Sequence, residues 1–109
     1  MFQTTAIGNV TTLVAPSELD ARNAPAARDY LKKLVEAGAS RLVIDLSAVS
    51  FIDSSALGAL LTALKAARSA GGDVKLSGMT PAVQTIFELT RLFRVFDVFP
   101  SAEQAAASF

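Results

Sequence analysis

The residues with the clearest capacity for chemistry are Asp53, Ser54 and Ser55, which stand where an apolar segment gives way to a helical pattern. Backbone N–H groups are unpaired at a helix start and the helix dipole is positive there, so an anion is favourable. A phosphate on Ser54 would accept hydrogen bonds from those N–H groups without unfolding the helix. The same residue types also suit a plain helix cap, and their spacing alone does not decide between the two.

The amino-acid composition excludes most kinds of enzyme catalysis. The 109 residues include no Cys and no His, which excludes disulfides, thiol nucleophiles, imidazole acid-base catalysis and the usual zinc ligands. A hydrolase built on Ser54 or Ser55 would lack a His base, and Lys65 would lie about three helical turns away. We therefore expect a protein that is not an enzyme, with no catalytic residue, no cofactor and no metal site.

Charge and hydropathy predict where the protein works. Ten Lys plus Arg balance ten Asp plus Glu, so no positive field is available to hold a nucleic acid or an anionic membrane. The first residues lack the basic and apolar regions of a secretory signal. The uncharged stretch at the start of the second predicted helix, residues 54–64, is shorter than the roughly 20 apolar residues of a membrane-spanning helix. We expect a soluble cytoplasmic protein without nucleic-acid or membrane partners.

A phosphoaspartate receiver domain is an alternative interpretation of the sequence, because Asp45 ends an apolar strand pattern. Such a site needs an acidic pair after the first strand to hold Mg²⁺ and a Lys after a later strand. Residues 4–14 contain no carboxylate. The pattern therefore disfavours the receiver.

The elements that must position Ser54 begin with a hairpin, since residues 2–7 and 10–15 favour strands and Gly8-Asn9 between them is a turn signal. Residues 17–20 are predicted to be an exit loop. Asn23 and Pro25 indicate a helix start by capping and by the fixed φ of proline, and the apolar spacing predicts a helix that ends at Gly38.

The rest of the chain alternates strands and helices. The apolar run 42–46 predicts a central strand covered on both faces. A helix over 54–70 carries one stripe of leucines and ends at Gly71-Gly72, and another helix starts at Thr80-Pro81. Further strands are predicted at 74–77 and 95–99, with a short helix from Ser101. The class is α/β: one domain, 1–109, in which helices pack on a mostly parallel four- to five-stranded sheet with an N-terminal hairpin.

Three side-chain roles follow from the pattern. Asp20 is expected at the same sheet end as Ser54, where it contacts a partner or, alternatively, is a solvated loop residue that caps the first helix. Gly58 inside a helix predicts a close approach of the helix to the sheet. The remaining prediction concerns aromatic residues, which are expected in the core, with the alternative that an exposed one among them anchors a partner: Phe87, Phe93 and Phe96.

The sequence around Ser54 resembles a known family. The likeness covers nearly the whole chain, weakly over the first fifteen residues, and includes Glu18-Leu19-Asp20 and Pro81-Ala82-Val83. Its core is similar to the phosphorylation-site signature of the STAS-domain anti-sigma-factor antagonists and comprises Asp45-Leu46-Ser47, Val49, Phe51-Ile52-Asp53-Ser54-Ser55, Leu57-Gly58 and Leu60-Leu61. Two positions depart from the pattern, because Ala56 and Ser17 stand where the family usually has Gly.

The resemblance implies a STAS fold and a phosphorylation switch. Ser54 corresponds to the serine that is phosphorylated by an anti-sigma factor of the GHKL serine-kinase type and dephosphorylated by a PP2C-type phosphatase. The unphosphorylated form would bind the kinase and release its sigma factor. The implied partner-binding residues are Asp20, Asp53, Ser54, Ser55 and Ala56. The alternative within the family is a scaffold subunit of another partner-switching, stressosome-type or lipid-transport complex, without sigma-factor control.

Overall fold

The computed structural model describes residues 1–109 and contains seven strands, four α-helices and one 3₁₀ turn. The strands are β1 (Gln3–Ile7), β2 (Val10–Val14), β3 (Glu18–Leu19), β4 (Arg41–Asp45), β5 (Phe51–Ile52), β6 (Asp73–Ser77) and β7 (Val98–Phe99). The helices are α1 (Ala24–Glu36), α2 (Ser54–Ser69), α3 (Pro81–Leu89) and α4 (Ala102–Ala107), and the 3₁₀ turn is Leu92–Arg94. None of the helices has the length and apolar character that crossing a membrane requires.

The main sheet has five strands in the order β1-β2-β4-β6-β7. Only β1 and β2 pair in antiparallel fashion, and the other neighbours are parallel. The prediction of a mostly parallel α/β sheet with an N-terminal hairpin is confirmed, and β4 is its central strand. Gly8 at the hairpin tip has a φ of 62° while Asn9 has no positive φ, which is the type II′ turn that favours Gly at the first central position.

Helices cover both faces of this sheet. Leu42 and Ile44 of β4 lie with apolar residues of α1 and α2 in the main core, which is the larger of two buried clusters. Val43 points to the opposite face, where α4 covers it with Ala105. Because successive side chains of a strand alternate between faces, a central strand buried on both sides must be a nearly continuous apolar run.

A second, two-stranded sheet was not predicted. Glu18 pairs with Phe51 and Leu19 with Ile52 in parallel register, so β3 and β5 form a sheet of their own. The prediction of an exit loop over 17–20 is therefore wrong for Glu18 and Leu19. Strands of two residues are too short to display an alternating pattern, and their pairing depends on contacts more than thirty positions apart in the chain.

The predicted last strand is shorter than expected. Only Val98 and Phe99 pair with β6, as an edge strand, because the 3₁₀ turn occupies Leu92–Arg94 and Arg91 has a left-handed φ of 60°. Phe87 and Phe96 are buried and meet edge to face with ring centroids 6.1 Å apart, as predicted for core residues. Phe93 is 49 % exposed, so its assignment to the core is wrong. It lines an open cavity of about 680 Å³ beside β7.

Gly58 does not approach the sheet. It lies on the solvent side of α2, and a Cβ built there would meet no atom within 4 Å. The helical turn places Gly58 beside the leucine stripe and not within it, which explains the wrong prediction. The close approach occurs instead at Gly72, where a Cβ would come within 1.9 Å of the Ser40 carbonyl oxygen.

Candidate functional site

Ser54 is the first residue of α2 and directly follows β5 and Asp53. The side chains of Ser54 and Ser55 are exposed, and their backbone N–H groups form no hydrogen bond within the chain. Free hydroxyls and free N–H groups therefore occupy the positive end of the longest helix. This arrangement leaves room for an anion on either serine and makes both hydroxyls accessible to another protein.

Asp53 joins the helix start to the neighbouring loop. Its backbone is extended, with φ −119° and ψ −179°, and Oδ1 accepts a hydrogen bond of 3.0 Å from the Ala56 N–H as a helix cap. Oδ2 accepts a second hydrogen bond of 2.9 Å from the Ala21 N–H. The Asp53 N–H donates to the Leu19 carbonyl at 3.2 Å. A single residue thus fixes both α2 and the segment after β3.

Asp20 is buried beside that contact, with its carboxylate paired to Arg22. The Arg22 backbone N–H donates to Oδ1 at 2.9 Å, and Nη2 donates to Oδ2 at 2.6 Å. These side-chain and backbone hydrogen bonds from Arg22 lower the pKa of Asp20 from its ordinary value of 3.8. Hydrogen bonds to Asp20 and to Glu18 raise the pKa of the Arg22 guanidinium. Asp20 is therefore a charged, structurally engaged residue and not a freely solvated one.

Asn23 holds the same loop from the other side. The residue precedes α1 as predicted, but its side chain does not cap that helix. Its Oδ1 accepts from the Asp20 N–H at 3.0 Å, and its Nδ2 donates to the Glu18 carbonyl at 2.8 Å. At the start of α1, the Ala24 N–H instead donates a hydrogen bond of 2.8 Å to the Asp20 carbonyl. The loop between β3 and α1 is consequently rigid where it meets Asp53.

A groove between α1 and α2 opens beside Ser55. Its volume is about 420 Å³, and small side chains form most of its walls. Arg28 of α1 supplies a cation, and the bare backbone of Gly58 keeps the α2 side open. Ser55 therefore faces a cleft wide enough for a partner side chain.

The structure brings most of the predicted site residues together, but one of them has its side chain in the core. Asp53, Ser54 and Ser55 are contiguous, and the loop that carries Asp20 lies against them through the Ala21 hydrogen bond. Ala56 is 2 % exposed and its N–H is used by Asp53, so its side chain faces the core.

Two residues near the site were missed by sequence reasoning. Arg22 follows Glu18 and Asp20 by four and two positions, a spacing that could have indicated the ion pairs. Phe51 is 52 % exposed, which its residue type does not indicate.

The chain belongs to the STAS-domain family, since the family model described as STAS domain matches residues 1–105. An anti-sigma-B factor antagonist of Bacillus subtilis is 34% identical over 86 residues, which cover 79% of this chain and 78% of the relative. An anti-sigma-B factor antagonist of Listeria monocytogenes is 31% identical over 81 residues, covering 74% of this chain and 71% of the relative. These relatives have the names of regulators and not of enzymes.

Solved structures agree with this assignment. The crystal structure of an anti-sigma factor antagonist from Mycobacterium paratuberculosis has a TM-score of 0.88 and 26% sequence identity, covering 99% of this chain and 92% of that one. The unphosphorylated form of SpoIIAA, an anti-sigma factor antagonist, has a TM-score of 0.76 at 19% identity and covers 99% and 96% of the two chains, which establishes the fold alone.

Proposed function

We propose that this protein is a single-domain anti-sigma-factor antagonist whose activity is switched off by phosphorylation of Ser54. The observation that supports this proposal most directly is the exposed Ser54 hydroxyl at the start of α2, beside free N–H groups and on a backbone held by Asp53. The names of its relatives support the regulatory class. In this proposal the protein performs no catalysis itself and acts by binding.

The proposed partner of the unphosphorylated form is an anti-sigma factor that is also a GHKL-type serine kinase. Binding would occupy the kinase surface that otherwise holds a sigma factor, and a PP2C-type phosphatase would restore the binding form in the cytoplasm. The contact surface would comprise Ser54 and Ser55 with the neighbouring loop at Asp20. Asp53 and Ala56 would contribute by fixing the backbone of that surface, because their polar groups already bond to each other.

A phosphate on Ser54 would release the partner by adding negative charge to the contact surface. It adds about −1.5 to −2 charge to a surface that the partner must desolvate, and such a mismatch costs several kcal/mol. A loss of roughly 3 kcal/mol weakens binding about a hundredfold. The N–H groups of Ser54 and Ser55 are free to donate hydrogen bonds to the phosphate oxygens, so the helix need not unfold. The proposed switch therefore changes charge and leaves the fold as it is.

The test is intact-mass analysis after incubation with ATP and a GHKL-type kinase captured from source-cell lysate on the Ser54→Ala variant. We expect the wild-type chain to gain the mass of one phosphoryl group, with fragmentation assigning it to Ser54. Ser54→Ala should gain none, and the matched control Ser55→Ala should gain it normally. Tight binding of the kinase without any mass gain would reject the switch and favour a scaffold role.

A further inference from the structure

The outer edge of β1 carries unpaired main-chain N–H and C=O groups at one end of the sheet order. All five residues of this strand are exposed, including Ala6 and the 52 % exposed Ile7, and its neighbour in the sheet is β2 on one side only. Gln3–Ile7 contains no charged residue and no proline. Proteins usually protect a free edge with charged side chains, proline or a bulge, because the unpaired N–H and C=O groups can pair with another chain.

The hairpin geometry identifies which groups are free. Ile7 and Val10 flank the two-residue turn and form a hydrogen-bonded pair, so the pairing with β2 alternates from there. Thr5 is opposite Thr12 and exchanges main-chain hydrogen bonds with it. The N–H and C=O groups of Thr4 and Ala6 therefore point outward, away from β2.

We propose that β1 is a self-association edge, through which two copies of this chain pair antiparallel and join their sheets about a two-fold axis at Thr5. In this register Thr4 of each copy is opposite Ala6 of the other, and both residues exchange outward hydrogen bonds, about four in all. The arrangement is isologous, because the same two residues serve both copies.

Two observations favour a second copy as the occupant. The edge is uncharged, and the whole chain carries ten positive and ten negative side chains, so two copies meet without net repulsion. The side chains at the axis are small or β-branched, and threonine is a residue type that strands favour. A five-residue edge buries less than the roughly 800 Å² per partner of a standard stable interface, so the dimer is weak and forms at high protein concentration.

Amide hydrogen exchange by NMR tests the register directly. Between about 20 μM and 2 mM protein, a range that spans weak association, the Thr4 and Ala6 amides should exchange at least several-fold more slowly as concentration rises. The Thr5 and Ile7 amides, already bonded to β2, are the internal controls and should not change. Sedimentation over the same range should show a rising dimer fraction.

The Ala6→Pro variant removes one outward N–H and should lower the association constant at least tenfold, with the Thr12 amide still protected as a sign that the hairpin is intact. If that variant misfolds, Thr5→Lys places two like charges opposite each other at the axis and should have the same effect, since Thr5 is exposed. A monomer at 2 mM, or exchange at Thr4 and Ala6 that is independent of concentration, would overturn the proposal. New protection at Val98 of the opposite edge would also overturn it, because the pairing would then be head to tail. These measurements do not involve Ser54 phosphorylation.

Discussion

The Asp53 carboxylate accepts a hydrogen bond from the Ala21 N–H across a sequence separation of 32 residues. The same carboxylate caps α2 through the Ala56 N–H, so the helix that carries Ser54 and the loop that carries Asp20 share one anchor. The position of Ser54 relative to Asp20 thus depends on a side chain that touches both segments.

Substitution of Asp53 should separate these two contacts. Asp53→Ala removes both, and we expect the free energy of unfolding to fall by about 1 to 2 kcal/mol. Asp53→Asn keeps one carbonyl oxygen, which can serve only one of the two N–H groups, so its loss should be about half as large. Urea denaturation followed by circular dichroism measures both. Equal stability of Asp53→Ala and the wild type would contradict the anchor.

Ser54→Asp should weaken binding of the captured kinase at least about tenfold, because a fixed negative charge then faces the partner. The fold should be slightly more stable, by about 0.3 to 1 kcal/mol, since an acidic residue suits a helix start. Weaker binding together with higher stability would show that charge repulsion, and not misfolding, causes the loss of affinity. Ser55→Asp is the matched control and should have the smaller effect on affinity, while Ser54→Ala should bind as the wild type does. Wild-type affinity in both Ser54 variants would reject the switch.

Phe51 should be an anchor for the partner. It is 52 % exposed, lies in β5 three positions before Ser54, and aromatic residues, Phe among them, are enriched in the cores of protein interfaces. Phe51→Ser should reduce kinase affinity at least about tenfold with little change in stability. Phe93→Ser is the control, because Phe93 is similarly exposed, at 49 %, beside the separate β7 cavity. Isothermal titration calorimetry measures the affinity of each variant for the kinase. Equal losses of affinity in the two variants would disprove this role of Phe51.

The pairing of Asp20 with Arg22 predicts a pH dependence with a definite sign. Arg22 lowers the pKa of Asp20 in the folded state below 3.8, so the pair stabilises the fold above that pH, and the contribution is lost as pH falls through the lowered pKa. The Arg22→Gln variant should return the Asp20 pKa toward its ordinary value. Carboxyl chemical shifts of Asp20 followed by NMR titration measure this change. An unchanged Asp20 titration in the variant would show that other groups lower the pKa.

The two contrasting glycines provide a test of packing. Gly58→Ala should raise the free energy of unfolding by about 0.5 to 1 kcal/mol, because the position is helical, exposed and free of neighbouring atoms. Gly72→Ala should lower it by at least about 2 kcal/mol, since the added Cβ would overlap the Ser40 carbonyl. Thermal unfolding of the two variants should therefore shift in opposite directions.

The helices and the five-stranded sheet were predictable because each has a local signal. The hairpin turn at Gly8, the cap at Thr80 and the double-sided burial of β4 all depend on residue types within a few positions. The β3–β5 sheet was not predictable, since two residues carry no period and their pairing is set by the tertiary fold. Phe93 and Gly58 show the same limit, because residue type alone does not say which way a side chain faces.

At the site, the prediction of an exposed serine at a helix start came from the residues around Ser54. The contacts that define its surroundings did not, because Arg22, Asn23 and Ala21 act through a loop whose shape no local pattern encodes. The resemblance to the STAS family supplied the proposed role of Ser54, because the helix-start residues alone favoured a simple helix cap.

The separate β3–β5 sheet affects how this surface can diverge in evolution. Because β5 hydrogen-bonds to β3 and not to the five-stranded sheet, substitutions around Ser54 leave the main-chain ladder of the core untouched. Duplicated copies of such a gene can therefore drift in partner preference while retaining one scaffold.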